Sequence, residues 1–211
     1  RDVAPSRGLG DVYKRQRKGY EVSALELADA NIAAFKKKLT PEDKIDLVQG
    51  NALDLSRYAD KSFDIVLLFG PLYHLKNDAD KQKCISEAKR VCKDGGKIFF
   101  AFISNDFVFL TEFGYDVNYF SNGDYDKETF KLNDFPFVFH TVGAARKLLA
   151  DGGINILHEV ASDGASELLA ARINEMSDED YTQYLRYHFY ICEKPELLGM
   201  TNHLLFMGEK K

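Results

Sequence analysis

The stretch SRGLGDVYKRQRKGYEVSALEL, residues 6–27, decides how this chain is read. Its second half is regular. YEVSALEL (20–27) alternates and is rich in strand-forming side chains, so it predicts a β-strand ending at Glu26 and Leu27. Its first half carries a glycine pair, Gly8 and Gly10, 16 residues ahead of Glu26. An acidic residue at a strand end about 20 positions beyond a glycine-rich turn is what recognition of a ribose needs. Such a turn also needs a strand before it and a helix after it. Before Gly8 stands RDVAPSR, which is not an apolar strand, and after Gly10 stands DVYKRQRK, which has too few apolar side chains for a buried helix face.

The pattern after Tyr20 repeats as alternating strands and helices. Asp29 is expected to cap a helix through Leu39, with Ile32, Phe35 and Leu39 on one face and Pro41 beyond its end. KIDLVQG (44–50) predicts a second strand. FDIVLLFG (63–70) predicts a third, apolar nearly throughout, as a strand buried on both faces should be. Asp78 is expected to cap a helix in which Cys84, Ile85, Ala88, Val91 and Cys92 follow helical spacing, ended by Gly95-Gly96. KIFFAFIS (97–104) is a fourth strand. This order implies crossover units, a parallel sheet and a doubly wound α/β fold. Later, HTVGAARKLLADGG (140–153) reads as a helix with a glycine stop, INILHEVAS (154–162) as a strand, 164–176 and 178–192 as helices, and NHLLFMGEK (202–210) as a last strand. Ser177 to Asp180 forms a capping-box-like start.

Residues 106–139 break that rhythm. They hold 11 of the 27 Phe and Tyr residues, and between Asp106 and Asp134 seven acidic residues stand against two lysines. Long inserted stretches in compact domains are often functional, so a lid over a site competes with a surface insertion whose aromatics pack on the sheet.

Bulk composition narrows the class. A length of 211 residues suits one domain with a subdomain. No apolar run reaches the roughly 18 residues of a membrane span, and the N-terminus has no apolar signal-peptide core. Three cysteines, Cys84, Cys92 and Cys192, lack metal or redox spacing, and such sparse use fits a reducing cytoplasm. Residues 1–18 hold six Lys/Arg and two Asp/Glu, a net of +4, whereas the rest of the chain has a net of -9. An acidic body argues against broad nucleic-acid binding through phosphates.

At GYEVSALEL, QGNALDL, SFDIVLLFGPLYHL and TNHLLFMGEKK the chain resembles a class I S-adenosylmethionine-dependent methyltransferase. It is most similar to small bacterial ones with a Gly-Pro-Leu-Tyr-His-Leu turn. The resemblance covers about residue 17 to the end. It implies a Rossmann-like, mostly parallel sheet with an antiparallel last strand, and S-adenosyl-L-methionine across the carboxyl ends of the strands. It further implies that Glu26 accepts from both ribose hydroxyls, with Leu27 beside it. Asn51, Ala52 and Leu53 would flank the adenine edge, and Phe69 and Gly70 would lie beneath the methionine portion. Leu72, Tyr73 and His74 would face the transferring methyl.

The family's first strand and Gly-x-Gly-x-Gly turn have no counterpart here, and PSRGLGDVYKRQ resembles a translated sequencing adaptor. Gly8 and Gly10 are therefore read as accidental, residues 1–16 as a non-native leader, and 17–211 as the methyltransferase domain, N-terminally truncated. Within it, 106–139 is the aromatic insertion and 164–192 a helical insertion on the substrate side. Loss of the central strand would leave strands two and four without a shared neighbour and would impair cofactor binding.

Individual residues have plainer readings too. Glu26 could be a solvated strand-end charge, and Asn51 could serve only a turn. Asp64 reads as an acid at a strand start. Methyl transfer from a sulfonium is an in-line displacement that needs the acceptor placed and, where it is protonated, a base near neutrality. Histidine titrates in that range, so His74 is the candidate base and Tyr73 its catalytic neighbour. Otherwise both belong to a packing shelf. His140 and His188 read as structural helix residues. The expected acceptor is a small molecule, and an acidic aromatic lid would suit a cationic or flat one. A nucleic-acid (tRNA or rRNA) methyltransferase, a nicotinamide dehydrogenase and a non-catalytic fragment are the competing readings.

Overall fold

The structure, a computed structural model, describes residues 19–211, so the leader and its glycine pair lie outside the described residues. The described chain divides into two compact units that meet in sequence at Asp60 and Lys61.

The first unit is a parallel strand pair with one helix. β1 (Val22–Glu26) pairs with β2 (Ile45–Gln49), with Glu26 opposite Gln49. Between them runs α1 (Asp29–Lys36). Alternation sends Ala24 inward, where it packs with Phe35, Leu39, Ile45 and Leu47. The helix differs from expectation at both ends. Ala28, not Asp29, is the N-cap, and Asp29 sits in the first turn. The helix closes at Lys36, short of Leu39, and Leu39 reaches the cluster from the following turn.

The second unit is a five-stranded sheet. Its path is β3 (Phe63–Leu68), β4 (Cys92–Ser104), β7 (His203–Lys210) and β6 (Ile154–Ala161), with the short β5 (Phe139–His140) also on β4. β3 and β5 run parallel to β4, and β7 runs antiparallel to both β4 and β6. The carboxyl ends of β3, β4, β5 and β6 therefore share one edge with the start of β7. Ile98, Phe100 and Phe102 of β4 face Gly208, Phe206 and Leu204 of β7 in register, and Phe102 meets Phe206 edge-on at 5.6 Å. Gly208 sits where a Cβ would come within 2.5 Å of Ile154 Cγ2 and 2.8 Å of the Asn155 carbonyl. Gly208→Ala is expected to cost about 1–3 kcal/mol, because backbone cannot retreat as a flexible side chain can; urea denaturation checks it.

α2 (Asp78–Val91) lays Cys84, Ile85, Ala88 and Val91 against the sheet, and burial pushes the Cys84 thiol up to about 12. Its N-cap is Asn77, whose side chain accepts from Asp80 N, so the expected cap at Asp78 is displaced by one residue. α5 (Val142–Asp151) is capped by Thr141 and ends at Gly152. α2 donates to the carbonyls there, through Gln82 to Leu148 at 3.0 Å and Lys89 to Gly152 at 2.8 Å, which satisfies helix-end acceptors.

Three further expectations are corrected and one is refined. β4 begins at Cys92 and runs through Gly95-Gly96, because Cys92 pairs with Phe63 and a register shift takes up the extra residues. β3 is not buried on both faces: Ile65 is 42% exposed, β3 being a terminal strand of its sheet among the described residues. The aromatic insertion, read as a lid or as a surface insertion whose aromatics pack on the sheet, gathers several of them into a small core of its own. It opens as α3 (Asn105–Tyr115), capped by Ser104, and continues through α4 (Tyr119–Asn122). Phe109, Tyr125 and Leu132 form a small core there, against which Val108, Tyr119 and Phe139 pack. Asn105 fastens the return, accepting from Leu132 N at 2.9 Å and donating to Phe130 O at 2.9 Å. Finally, 164–176 is mostly turns, with only α6 (Ala170–Asn174) helical, whereas α7 (Asp178–Ile191) starts at Ser177 as expected. Gly164 explains the first of these, since its φ of +51° and its bond to Thr201 start a turn rather than a helix.

Candidate functional site

In the first unit, sequence order alone carries Glu26 to the carboxyl end of a parallel strand. The backbone there links both strand ends, with Gly50 N donating to Glu26 O at 3.0 Å. Glu26 is half-buried, and its Oε1 accepts from Ala28 N at 2.9 Å. Leu27 is 66% exposed beside it. Asn51 follows directly, exposed, its Oδ1 accepting from Leu53 N at 3.0 Å. That bond is the turn role weighed for Asn51, and it leaves the Nδ2 amide pointing elsewhere. Glu26, Leu27, Asn51, Ala52 and Leu53 are thus gathered around one strand-end turn. Gln49 was missed from the sequence; its Nε2 donates to Leu27 O at 3.4 Å and steadies the same corner.

In the second unit, β3 ends at Leu68 and the chain turns through Phe69 and Gly70 into a 3-10 turn, Pro71–Tyr73. Proline at the first position suits a short helical turn that needs no amide donor there. Leu72 is fully buried and anchors the turn. The Tyr73 hydroxyl donates to Phe69 O at 2.9 Å, which closes the loop on itself. His74 is exposed, with its ring 5.0 Å from that of Tyr73 and 5.3 Å from Phe137. Phe137 belongs to the aromatic insertion, and Val138 N donates to Tyr73 O at 2.9 Å. The insertion therefore lies directly on the Tyr73–His74 turn, a contact that composition alone did not reveal. Gly70 has φ near 180° and room for a Cβ, so no glycine-only conformation is at stake there.

Elsewhere on the same sheet edge, one histidine differs from its sequence reading and another was not singled out from the sequence. His140 is a strand residue, not a helix residue, buried against Phe102 at 5.0 Å with its ring nitrogens unpartnered beyond a weak backbone contact at Val138. His203, at the start of β7, places Nδ1 2.6 Å from Asp163 Oδ2, and its backbone N donates to Asp163 Oδ1 at 3.1 Å. Thr201 also bonds Asp163 Oδ1. Burial opposes the charge on Asp163, but the bonds from His203 and Thr201 outweigh it and hold the carboxyl below its usual range. Nothing local marks this pair, since Asp163 and His203 lie 40 residues apart. His188 is a helix residue, as read, with its Nε2 3.1 Å from Ser162 O.

Among the described residues, no group of three His, Cys, Asp or Glu could hold a metal ion, and no helix is long and apolar enough to cross a membrane.

A family model described as a methyltransferase domain matches residues 2–100, a span that includes Gly8 and Gly10. A demethylmenaquinone methyltransferase of Clavibacter sepedonicus is 32% identical over 100 residues, covering 47% of this chain and 39% of that relative. The chain thus matches well under half the length of this curated relative. Among solved structures, the PH0226 protein of Pyrococcus horikoshii superposes with a TM-score of 0.60 at 17% identity, over 98% of this chain and 79% of that one. A SAM-dependent methyltransferase from Methanosarcina mazei gives 0.58 at 16% identity, over 93% and 85%. The fold is the mixed α/β, Rossmann-like fold of such methyltransferases, with its antiparallel last strand.

Proposed function

We propose that the chain transfers a methyl group from S-adenosylmethionine to a small-molecule acceptor. The observation that carries this reading is the Glu26 carboxylate at the carboxyl end of a parallel strand, beside the Gly50–Asn51 turn, in a chain matched by a methyltransferase domain model.

The residues suit the cofactor. A strand-end carboxylate can accept two hydroxyl donors. Because Oε1 already holds Ala28 N, Oε2 would be the main acceptor for the ribose. Asn51 would offer its Nδ2 to the adenine edge, with Leu27, Ala52 and Leu53 as apolar flanks. Phe69 and Gly70 would support the methionine portion, with the fully buried Leu72 holding their turn in place. The cofactor supplies an electrophilic methyl on a sulfonium. The chain would hold the acceptor in line with it, and as the acceptor–carbon bond forms and the sulfur–carbon bond breaks, His74 would take up any proton the acceptor releases. Tyr73 would orient that turn rather than exchange a proton, since its hydroxyl is engaged by Phe69. The aromatic insertion would serve as the lid, through Phe137 on His74 and Tyr73. The 164–192 segment would stand on the substrate side. A small acceptor is supported by the acidic body of the chain and by the quinone named in the Clavibacter relative. A nucleic-acid acceptor would need a basic groove instead.

Titration of S-adenosylhomocysteine into residues 1–211, followed by ligand-observed NMR so that weak binding is readable, tests the reading. Glu26→Ala should weaken binding about 30- to 100-fold, equivalent to losing ~2–3 kcal/mol of charge-assisted hydrogen bonding. Equal affinity in the variant would remove Glu26 from the site. We also propose that binding by residues 1–211 is weaker than micromolar, since the sequence around the glycine pair lacks the apolar pattern of a strand before it and of a buried helix face after it. Micromolar affinity by calorimetry would instead favour Gly8 and Gly10 as a working loop, the assignment that the match from residue 2 supports.

A further inference from the structure

Past the carboxyl end of β6 the chain leaves the sheet for residues 162–200, and a cavity of about 190 Å³ lies between the start of that segment and α7. Ala161 and Ala165 line it from the strand end and the start of the segment, Tyr187 and Ile191 from α7, and the exposed Leu169 and Met200 complete the lining. Its polar neighbours are turned to each other. The Tyr184 hydroxyl meets Ser166 Oγ at 2.6 Å, and His188 Nε2 meets Ser162 O at 3.1 Å. No carboxylate, lysine or arginine lines it. A charged guest would therefore lose its hydration with no counter-charge to replace it.

Three observations point to a binding site rather than a packing flaw. The framework is fixed: Ala161 N donates to Cys192 O at 2.8 Å, and Thr201 accepts from Gly164 N at 3.2 Å. The exposed part of the lining is apolar, with Leu169 45%, Tyr187 57% and Met200 47% exposed. Scattered apolar side chains on a surface need no explanation, but a cluster lining a cavity marks a contact site. The volume is also telling, since an apolar cavity of about 150 Å³ takes a benzene ring.

We infer that this cavity is an accessory site for an uncharged, single-ring aromatic or comparably small hydrocarbon group. It is separate from the Phe69–His74 turn. β6 lies three strand positions from β3 in the sheet order, a span of about 14 Å at ~4.8 Å per strand. A ring held here occupies a different place along the sheet edge from a methyl acceptor at His74, so the site stands whether or not methyl transfer is the activity.

The chain contains three methionines, Met176, Met200 and Met207, and only Met200 lines the cavity. Methyl-¹³C labelling of methionine therefore gives a direct readout. Toluene should shift the Met200 signal saturably through its ring current and leave Met207, within β7, unmoved. Benzoate, of similar shape but charged, should move neither. Ala165→Phe should fill the cavity and abolish the toluene shift while the Met207 signal keeps its position. If that variant fails to fold, Leu169→Gln in the exposed lining should weaken the toluene response. Absence of a saturable Met200 shift, an equal response to benzoate, or a response surviving both variants overturns the site.

Discussion

Lowering the pH from 6.5 to about 4 should destabilise the protein by roughly 3 kcal/mol through a single side chain, His140. The imidazole is 5% exposed, and its ring nitrogens have no hydrogen-bond partner beyond a weak backbone contact at Val138. Burial pushes its pKa down to about 4, aided by Lys81 and Lys131, while Asp134 and the Val138 backbone pull weakly the other way. The folded value lies below the ordinary one, so the unfolded chain binds the proton first. Stability is complete above about 6.5, falls through the window, and is lost in full below about 4. His140→Phe keeps a ring against Phe102 and removes the titration. Its urea midpoint should stay flat where the parent's falls. A parallel fall in both proteins would assign the acid sensitivity to other groups.

His140 also shows what could be read from the residues and what could not. Its strand neighbours follow from pattern: apolar or alternating runs at 20–27, 44–50, 63–70, 97–104, 154–162 and 202–210 all contain strands, because period-two burial is a local property. Helix caps were displaced by one residue at Ala28 and Asn77, since aspartate favours both the cap and the first turn. The environment of His140 depends on Lys81 of α2 and Lys131 of the insertion, and no local period encodes such neighbours. The same holds for the aromatic insertion. Its richness in Phe and Tyr is plain from composition, yet whether those rings cover the sheet or each other is decided by Asn105 fastening the returning chain at Phe130 and Leu132. Of the candidate site, the strand-end position of Glu26 and the turn after β3 were legible, whereas Phe137 on His74 required the fold.

Asp163→Ala should destabilise the protein by about 3 kcal/mol at pH 7, because it takes the acceptor from two donors and one of two acceptors from a third. The His203 backbone amide and ring lose this acceptor in a place where water has limited access, and the Thr201 hydroxyl is left with the His203 carbonyl at 3.0 Å alone. The loss spreads further, because this triplet at the start of β7 holds both insertions. Asn202 donates to Glu167 at 2.6 Å and accepts from Thr111 of α3 at 3.0 Å, while its backbone carbonyl accepts from Ser104 N at 2.8 Å. Asp163→Asn is the informative comparison. Its amide oxygen can still accept from the His203 amide and Thr201, and a neutral His203 ring can switch tautomer to accept from the new NH₂. It should therefore recover at least half of the loss, and ¹⁵N shifts of the His203 ring should report the changed tautomer. The titration of Asp163 also separates from that of His140. A depressed carboxylate contributes above its ordinary value of 3.8 and loses that contribution only as the pH falls below it, under the His140 window. Acid unfolding of His140→Phe should consequently begin below about pH 4, and in the double variant with Asp163→Asn that remaining step should shrink. If Asp163→Ala stays within about 0.5 kcal/mol of the parent, a surface-like effect, the network does not fasten the insertions.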